Sequence, residues 1–177
     1  GTAEDQATAF TPHKIIANIY YVGTRTLSSF LVVTPQGNIL INSTYERNVA
    51  TIEKSVNQLG FKFSDIKILL ISHAHYDHCA GRSAIKDATG AQYMVMAGDA
   101  EVVESGGQAD FQYGGSAEAQ YPPAKVDRVL HDRDEVTLGG TTLVAHLTPG
   151  HTRGNTTWTL KAQDGGKTYD VVIVGSL

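Results

Sequence analysis

Residues 66–78 read Ile-Lys-Ile-Leu-Leu-Ile-Ser-His-Ala-His-Tyr-Asp-His, an apolar run followed directly by a cluster of ionisable side chains. The nearly continuous apolar part is typical of a short strand that is covered on both faces. Imidazole and carboxylate are ligands that zinc accepts, and a turn after a strand can direct such side chains to one point. His73 and His75 share a face while the chain is extended, whereas Asp77 and His78 follow the turn. The stretch therefore predicts two adjacent metal sites.

A further ligand should come from a distant part of the chain, and His151 is the best candidate. It follows the turn signal Thr148-Pro149-Gly150 at the end of a predicted strand. His146 lies inside that strand and is interpreted as a packed or surface imidazole. His13 and His131 have no other ligand types near them in the sequence, so neither is expected to bind metal. The alternatives for the whole motif are a solvated polar loop with incidental histidines and a His-rich tract that binds metal only adventitiously, and the strand-to-loop context disfavours both.

Two other side chains could carry chemistry. Cys79 adjoins His78 and could be a thiolate ligand, but a lone cysteine beside a small residue is more often a buried hydrophobic residue. Ser176 could be a nucleophile, but it does not lie in a Gly-x-Ser-x-Gly sequence. We therefore expect neither a thiolate ligand nor a serine hydrolase.

The rest of the chain alternates strands with helices and then continues as a run of hairpins. Apolar residues at helical spacing predict a helix over 48–59, and a second helix is predicted after Gly81. Segment 105–124 is rich in Gly, Ser, Gln and Pro, which indicates an irregular surface loop. Strands are predicted at 15–22, 30–33, 38–41, 66–71, 91–97, 135–138, 141–147, 156–160 and, as a buried strand, 169–174. This order indicates one layered α/β domain over residues 1–177.

The composition restricts the kinds of partner to expect. A chain of 177 residues with 41% hydrophobic content can bury one core. Because charged residues make up 18% and the formal net charge is -4, neither nucleic acid nor an anionic membrane surface is an expected partner. No apolar run approaches the roughly 20 residues that span a bilayer. No feature of the sequence indicates a protein partner, and small neutral or anionic substrates are compatible with this composition.

The two ends of the sequence favour a processed or cut chain. The start, Gly1-Thr2-Ala3-Glu4-Asp5, has neither an initiator Met nor an apolar signal core. At the other end, the predicted strand over 169–174 is followed by three residues, Gly175-Ser176-Leu177. A globular domain seldom ends at such a point, so the fold is expected to be incomplete at its C-terminal end.

The motif His-x-His-x-Asp-His with a distant Gly-His resembles the signature of the metallo-β-lactamase superfamily. Residues 72–81, 121–124 and 147–154 are similar to class B β-lactamases of subclass B3, and the resemblance covers nearly the whole chain. It implies an αββα sandwich with two zinc ions at the edge between its sheets. By position, the first zinc ion would have the ligands His73, His75 and His151. Asp77 and His78 resemble two ligands of the second zinc ion, whose third ligand in the family is a histidine beyond Leu177.

The same resemblance implies the activity and further roles. It implies hydrolysis of the β-lactam amide bond of antibiotics by a zinc-bound hydroxide, which would confer β-lactam resistance, in the periplasm or outside the cell. Asp77 would be catalytic and orient the hydroxide, while Ser176 would help to bind the substrate carboxylate. Ser176 also stands where thiolester hydrolases and phosphodiesterases of the superfamily usually have a metal-bridging Asp. Asn42 stands where many members have Asp, a departure that removes no metal ligand.

Two alternatives remain open at the level of the sequence. One is a hydrolase of the same fold that acts on another ester, on a thiolester or on a lactone. The other is an inactive zinc-binding fragment, because the second zinc ion has two protein ligands in this chain.

Overall fold

The computed structural model describes residues 1–176 and contains two β-sheets, with helices packed on the larger one. The seven-stranded sheet has its strands in chain order: β1 (His13–Ile16), β2 (Ile19–Tyr21), β3 (Phe30–Thr34), β4 (Gly37–Ile41), β5 (Ile66–Leu70), β6 (Gln92–Met96) and β7 (Arg128–Leu130). The four-stranded sheet has the order β11-β10-β9-β8 and consists of β8 (Glu135–Leu138), β9 (Thr141–Leu147), β10 (Thr156–Asp164) and β11 (Lys167–Ile173). The α-helices are α1 (Ala3–Ala7), α2 (Val49–Gln58), α3 (Tyr76–Cys79), α4 (Arg82–Thr89) and α5 (Ala97–Glu104).

The direction of the strands decides where the functional residues meet. Strands β1 to β4 pair antiparallel, whereas β4, β5, β6 and β7 run parallel to one another. The carboxyl ends of parallel strands lie at the same edge of a sheet, where ligands usually bind in such folds. Three polar segments come shortly after the ends of three of these strands. Asn42 follows β4, the motif 72–78 follows β5, and Asp99 follows β6. The fold therefore brings polar segments that are distant in sequence to one edge.

The hydrophobic core consists of two clusters, one on each face of the seven-stranded sheet. Because side chains alternate along a strand, Leu40 of β4 belongs to the cluster under the helices, whereas Ile39 and Ile41 face the smaller sheet. The first cluster includes side chains of α2, α4 and α5, and the second consists of residues from strands of both sheets. Helices, larger sheet and smaller sheet are three layers of the predicted αββα sandwich, so the predicted fold class is confirmed.

Most predicted elements are present. The helix predicted over 48–59 is α2, and Gly60 adopts φ +87° directly after its C-terminal cap. Helix α4 begins after Gly81 as expected, and segment 105–124 is irregular apart from a 3-10 turn at Ala117–Ala119. Helices α1, α3 and α5 and strand β7 were not predicted. None of the helices in residues 1–176 is both long enough and apolar enough to cross a membrane.

Two strand predictions were wrong in part. The strand expected over 15–22 is a hairpin of β1 and β2, because Ala17 takes a left-handed conformation with φ 51° and reverses the chain. The last strand, β11, is not buried: Tyr169 and Val172 are 41% and 57% exposed. Strand β11 lies at the edge of the four-stranded sheet, and one of its faces is open to solvent in the described part of the chain.

Candidate metal centre

The motif after β5 forms a sharp turn that points four of its side chains toward one place. Ser72, His73, Ala74 and His75 are buried, and His75 is the N-terminal cap residue of the short helix α3. Asp77 and His78 lie on α3 and are half-buried. The change from extended chain to helix separates the two pairs of side chains, as the spacing of the motif predicts.

His151 comes from the turn after β9 and meets His73 and His75. The ring centroids of His151 and His73 are 4.4 Å apart, and Nε2 of His151 lies 3.0 Å from Nδ1 of His75. Two imidazole nitrogens that ligate one tetrahedral zinc ion are about 3.3 Å apart, from Zn–N distances of about 2.0–2.1 Å. Ligand atoms of all three histidines lie within 4.8 Å of one another, which makes them a group that could hold a metal ion.

A second group adjoins the first and shares one residue with it. Ligand atoms of His73, Asp77 and His78 also lie within 4.8 Å of one another. Asp77 Oδ2 is 3.7 Å from His78 Nε2, and the rings of His73 and His78 have centroids 4.0 Å apart. The structure thus brings together all five side chains that the sequence nominated as ligands. It also places His73 between the two groups.

Burial keeps the imidazoles of His73, His75 and His78 in the neutral form that binds metals. Loss of water contact, together with the neighbouring His78, His151 and His75, lowers the pKa of His73 to about 2. Burial also lowers the pKa of His75 and of His78, although nearby carboxylates oppose the effect. Each side chain therefore offers a free lone pair at neutral pH.

The donor set fits a divalent cation. Nδ1 of His75 lies 3.0 Å from Nε2 of His151, and ring nitrogens of His73 and His78 lie within 4.8 Å of a carboxylate oxygen of Asp77. Imidazole nitrogens that approach one another this closely, beside a carboxylate, present lone pairs that a proton or a metal ion can share. Because burial disfavours the proton, a metal ion such as zinc is the group that matches this chemistry.

Asp99, which the sequence analysis did not nominate, connects the two segments that carry the histidines. Its side chain is fully buried at the start of α5. Oδ2 accepts hydrogen bonds from Ala74 N at 2.9 Å and from Thr152 Oγ1 at 2.8 Å, and Oδ1 accepts one from Gly154 N at 2.8 Å. Its pKa is raised by burial in spite of these bonds. The position of Asp99 after a parallel strand was a signal that could have identified it.

Further hydrogen bonds hold the motif from other sides. Asn42 Oδ1 accepts from Ser72 N at 2.8 Å, and Asn42 Nδ2 donates to Ser72 Oγ at 3.0 Å. Tyr121 Oη donates to Ala74 O at 2.8 Å, and Trp158 Nε1 donates to Ile71 O at 3.2 Å. Together with Asp99, these three side chains fix the backbone that presents the histidines from four distant segments of the chain, which favours a preformed site.

A cavity of about 530 Å³ opens beside the two groups. His73, Asp77, His78 and His151 line it, and so does Ser176 from the segment after β11. Apolar side chains of β1, β2, β3 and β11 form other parts of its wall. A pocket of this size, mostly apolar with convergent polar groups, suits a small organic molecule.

The remaining cysteine and histidines lie outside the two ligand groups. Cys79 is 2% exposed, and its Sγ donates to His75 O at 3.1 Å, as expected for a buried side chain. His146 Nε2 lies 2.7 Å from Thr159 Oγ1, a contact across two strands of the smaller sheet. His13 and His131 are exposed. Among residues 1–176, neither these three histidines nor Cys79 belongs to a cluster that could hold a metal ion.

Several solved structures share the fold of this chain. The native FEZ-1 metallo-β-lactamase from Legionella gormanii superposes with a TM-score of 0.95 at 58% identity and covers 96% of this chain. BJP-1, a subclass B3 metallo-β-lactamase of Bradyrhizobium japonicum, has a TM-score of 0.92 at 37% identity over 98% of this chain. The class B3 di-zinc enzyme LRA-12 from an Alaskan soil metagenome gives 0.94 at 38% identity over 98%. The chain spans 65%, 65% and 66% of these proteins, respectively.

Curated relatives match shorter stretches. A hydroxyacylglutathione hydrolase of Anaeromyxobacter dehalogenans is 36% identical over 87 residues, which are 49% of this chain and 26% of that protein. The Rhodospirillum rubrum hydroxyacylglutathione hydrolase is 30% identical over 101 residues, which are 57% of this chain and 30% of that protein. The family model of the metallo-β-lactamase superfamily matches residues 22–164. On this match, together with the similarity to subclass B3 structures, the chain belongs to the metallo-β-lactamase superfamily.

Proposed function

We propose that this protein is a zinc-dependent β-lactamase that hydrolyses the amide bond of the β-lactam ring. The observation that carries the proposal is the convergence of His73, His75 and His151 beside Asp77 and His78, since all of these except His75 line one cavity. The 58% identity to the FEZ-1 metallo-β-lactamase supports this choice of substrate class. The expected partner is accordingly a small-molecule β-lactam.

We assign the ligands of two zinc ions. His73, His75 and His151 would hold the first, and Asp77 and His78 would supply two ligands of the second. Three neutral imidazoles leave one position of a tetrahedral ion open, which is the usual arrangement in catalytic zinc sites. Zinc bound there supplies a water molecule of lowered pKa, near 7, and a Lewis acid for the carbonyl oxygen.

The reaction consumes one molecule of water. Its oxygen forms a bond to the lactam carbonyl carbon, the carbon–nitrogen bond breaks, and the released nitrogen gains a proton. Asp77 is the proposed catalytic residue, because its carboxylate lines the cavity and can accept a hydrogen bond from the attacking water. The side chain of Asp77 is 31% exposed, so its carboxylate borders the space where substrate would lie.

Ser176 is the proposed substrate-binding residue. It is partly buried on the wall of the same cavity as His73 and Asp77. A hydroxyl group at this place can donate a hydrogen bond to a carboxylate, and β-lactam antibiotics carry a carboxylate near the ring. Ser176→Ala is expected to raise KM for a cephalosporin more than it lowers kcat.

The runner-up is a hydrolase of the same fold that acts on another ester, on a thiolester or on a lactone, and the thiolester is the best supported of these substrates. The observation that favours it is the match of hydroxyacylglutathione hydrolases to about half of this chain. That match is lower in identity and shorter than the match to FEZ-1, so β-lactam hydrolysis is the preferred proposal. A zinc-binding protein without turnover is the third possibility.

The test compares three substrates on the zinc-loaded protein: a chromogenic cephalosporin, a glutathione thiolester and a lactone. We expect turnover of the cephalosporin, and Asp77→Asn should lower it about 100-fold or more, since a neutral amide orients water less well. Asp87→Asn, which changes an exposed carboxylate on α4, is the matched control and should leave turnover unchanged. Faster thiolester cleavage would favour the runner-up, and tightly bound zinc without turnover of any substrate would favour the third possibility.

The proposal also covers the location of the protein, its contribution to antibiotic resistance and its domain organisation. We propose a periplasmic or secreted location and a contribution to antibiotic resistance, on the resemblance to subclass B3. We also propose that residues 1–177 form a single domain, because both core clusters share the seven-stranded sheet. A single cooperative unfolding transition, coincident by circular dichroism and fluorescence, is the expected result for one domain.

A further inference from the structure

Asp110 lies in the irregular segment 105–124, far in sequence from the proposed ligands, yet its carboxylate reaches the metal centre. Its Oδ2 is 3.5 Å from Nε2 of His75, and the two side chains are 3% and 7% exposed. Neither atom has a hydrogen-bond partner within the described residues. Two complementary buried polar atoms therefore face each other, each lacking another group to bind.

The two nitrogens of the His75 ring have different surroundings. Nδ1 faces His151 Nε2 at 3.0 Å, on the side of the three-histidine group, and Nε2 faces Asp110. If Nδ1 ligates a metal ion, Nε2 carries the proton, and that N–H needs an acceptor because it is buried. A metal-ligating histidine commonly donates its second ring N–H to a carboxylate, which fixes the ring and makes it a stronger ligand.

The other carboxylate oxygen of Asp110 is already engaged. Oδ1 accepts hydrogen bonds from Gln112 N at 2.9 Å and from Tyr113 N at 2.6 Å, which fixes the side chain on its own loop. These bonds orient Oδ2 toward the His75 ring. The separation of 3.5 Å is slightly longer than an ordinary N–H···O bond, as is common for such contacts in unliganded sites.

We propose that Asp110 is a positioning residue that sets the tautomer and orientation of His75 and thereby strengthens the first metal site. The proposal rests on the proposed function, because it takes His75 as a zinc ligand through Nδ1. Segment 105–124 then has a role beyond covering the surface: it carries the acceptor for a ligand that lies 35 positions earlier in the chain.

Asp110→Asn is the decisive variant. An asparagine can keep its amide oxygen on Gln112 N and Tyr113 N, but it then presents an NH₂ donor to the N–H of His75. We expect zinc affinity, measured by competition with a chromophoric chelator, to fall about 10-fold to 100-fold. The unfolding temperature of the metal-free protein should stay near that of the unchanged chain.

The matched control is Ser105→Ala. Ser105 Oγ accepts a hydrogen bond from Ala109 N at 3.0 Å in the same segment, and it is not among the groups that contact His75. Its removal loosens the segment without touching the ligand, so zinc affinity should change less than about 3-fold, below the smallest effect expected for a lost carboxylate partner. Equal loss of affinity in both variants would show that loop integrity alone matters, and this would overturn the proposal.

Proton NMR of the cobalt-substituted protein distinguishes a hydrogen bond to His75 from a purely structural role of Asp110 in its loop. The ring N–H of a cobalt-ligating histidine gives a strongly shifted signal that disappears in D₂O, and His75→Ala identifies the one from His75. We expect that signal to broaden by faster solvent exchange in Asp110→Asn and to persist in Ser105→Ala. If neither the signal nor the zinc affinity changes in Asp110→Asn, the proposal is wrong and Asp110 only stabilises its own loop through Gln112 N and Tyr113 N.

Failure of the proposed function would look different. Zinc-loaded protein that turns over no β-lactam, while Asp110→Asn still weakens zinc binding, would remove the function and leave the role of Asp110 intact. Normal β-lactam turnover with no effect of Asp110→Asn on zinc affinity would support the proposed function and overturn the role of Asp110.

Discussion

His146 and His151 stand five positions apart, and their surroundings differ completely. His146 lies on β9 and its Nε2 contacts Thr159 Oγ1 on the neighbouring strand. His151 lies beyond the strand end, in the turn that docks on Asp99 through Thr152 and Gly154. The strand fixes the first imidazole within the smaller sheet, and the turn carries the second into the metal centre.

His151→Ala should therefore weaken zinc binding strongly, by about 100-fold or more, because the first site loses one of three protein ligands. His146→Ala is the matched control and should bind zinc with the affinity of the unchanged protein. Both affinities are measured by chelator competition, together with zinc content after dialysis. Retained affinity in His151→Ala combined with zinc loss in His146→Ala would show that the distant ligand has been assigned to the wrong histidine.

The proposed ligands could be nominated from the sequence, but the contacts that hold them in place could not. His73, His75, Asp77 and His78 lie within one motif, so their spacing alone indicates a shared site. Asp99 and Asp110 act through partners 25 and 35 positions away. Only the register of the parallel strands and the path of segment 105–124 bring those partners together, and neither follows from local sequence pattern.

Helix α5 and the turn that carries His151 pack so closely that glycine is required at the contact. A Cβ on Gly154 would lie 2.7 Å from Asp99 Cγ, and a Cβ on Gly98 would lie 2.5 Å from Arg153 O. Both distances are far inside van der Waals contact, and the obstacles are a fully buried carboxylate and a backbone carbonyl. The absence of side chains here lets Gly154 N reach Asp99 directly.

Gly154→Ala should push the His151 turn away from α5. We expect a loss of about 1–3 kcal/mol in the free energy of unfolding from overpacking, together with weaker zinc binding. Gly115→Ala is the control, because a Cβ there meets no atom within 4 Å, and its effect should stay within about 0.5 kcal/mol. Urea denaturation and chelator competition measure the two effects, and equal behaviour of the two variants would contradict the close contact described for Gly154.

Elements with a strong periodic pattern could be predicted, and those decided by tertiary context could not. Helix α2 and strands β4 and β5 are amphipathic or continuously apolar, so the local pattern is sufficient. The hairpin within 15–22 depends on the left-handed Ala17, a conformation that alanine rarely adopts. The apolar run in β11 indicated burial, but its position at a sheet edge leaves Val172 exposed.

At the scale of the whole molecule, Trp158 connects the two sheets with the metal centre. It is 1% exposed in the cluster between the sheets, and it is the single tryptophan of the chain. Its Nε1 donates to the carbonyl of Ile71, one residue before the motif 72–78. Packing of the smaller sheet and the position of the ligand-bearing turn are thus coupled through one side chain.

Trp158→Phe should destabilise the fold by about 2–4 kcal/mol, because it removes core volume and leaves the buried carbonyl of Ile71 without its donor. Tyr169→Phe, a change on an exposed aromatic of β11, should alter the free energy of unfolding by less than about 0.5 kcal/mol. Far-ultraviolet circular dichroism in urea measures both, since Trp158→Phe abolishes tryptophan fluorescence. A destabilisation below 1 kcal/mol would mean that the two sheets do not depend on this residue.

Cys79, the single cysteine, lies in the core directly after His78, and burial raises the pKa of its thiol. Alkylating reagents attack the thiolate at an accessible sulfur, so this side chain is shielded from labelling in the folded protein. A maleimide dye can then be directed to one introduced surface thiol, for example in Ser116→Cys on the rim beside His75 and Asp77, without first replacing the native cysteine. Binding of the proposed β-lactam substrate would then be followed as a fluorescence change, and slow labelling of Cys79 itself would record how often the motif 72–78 opens.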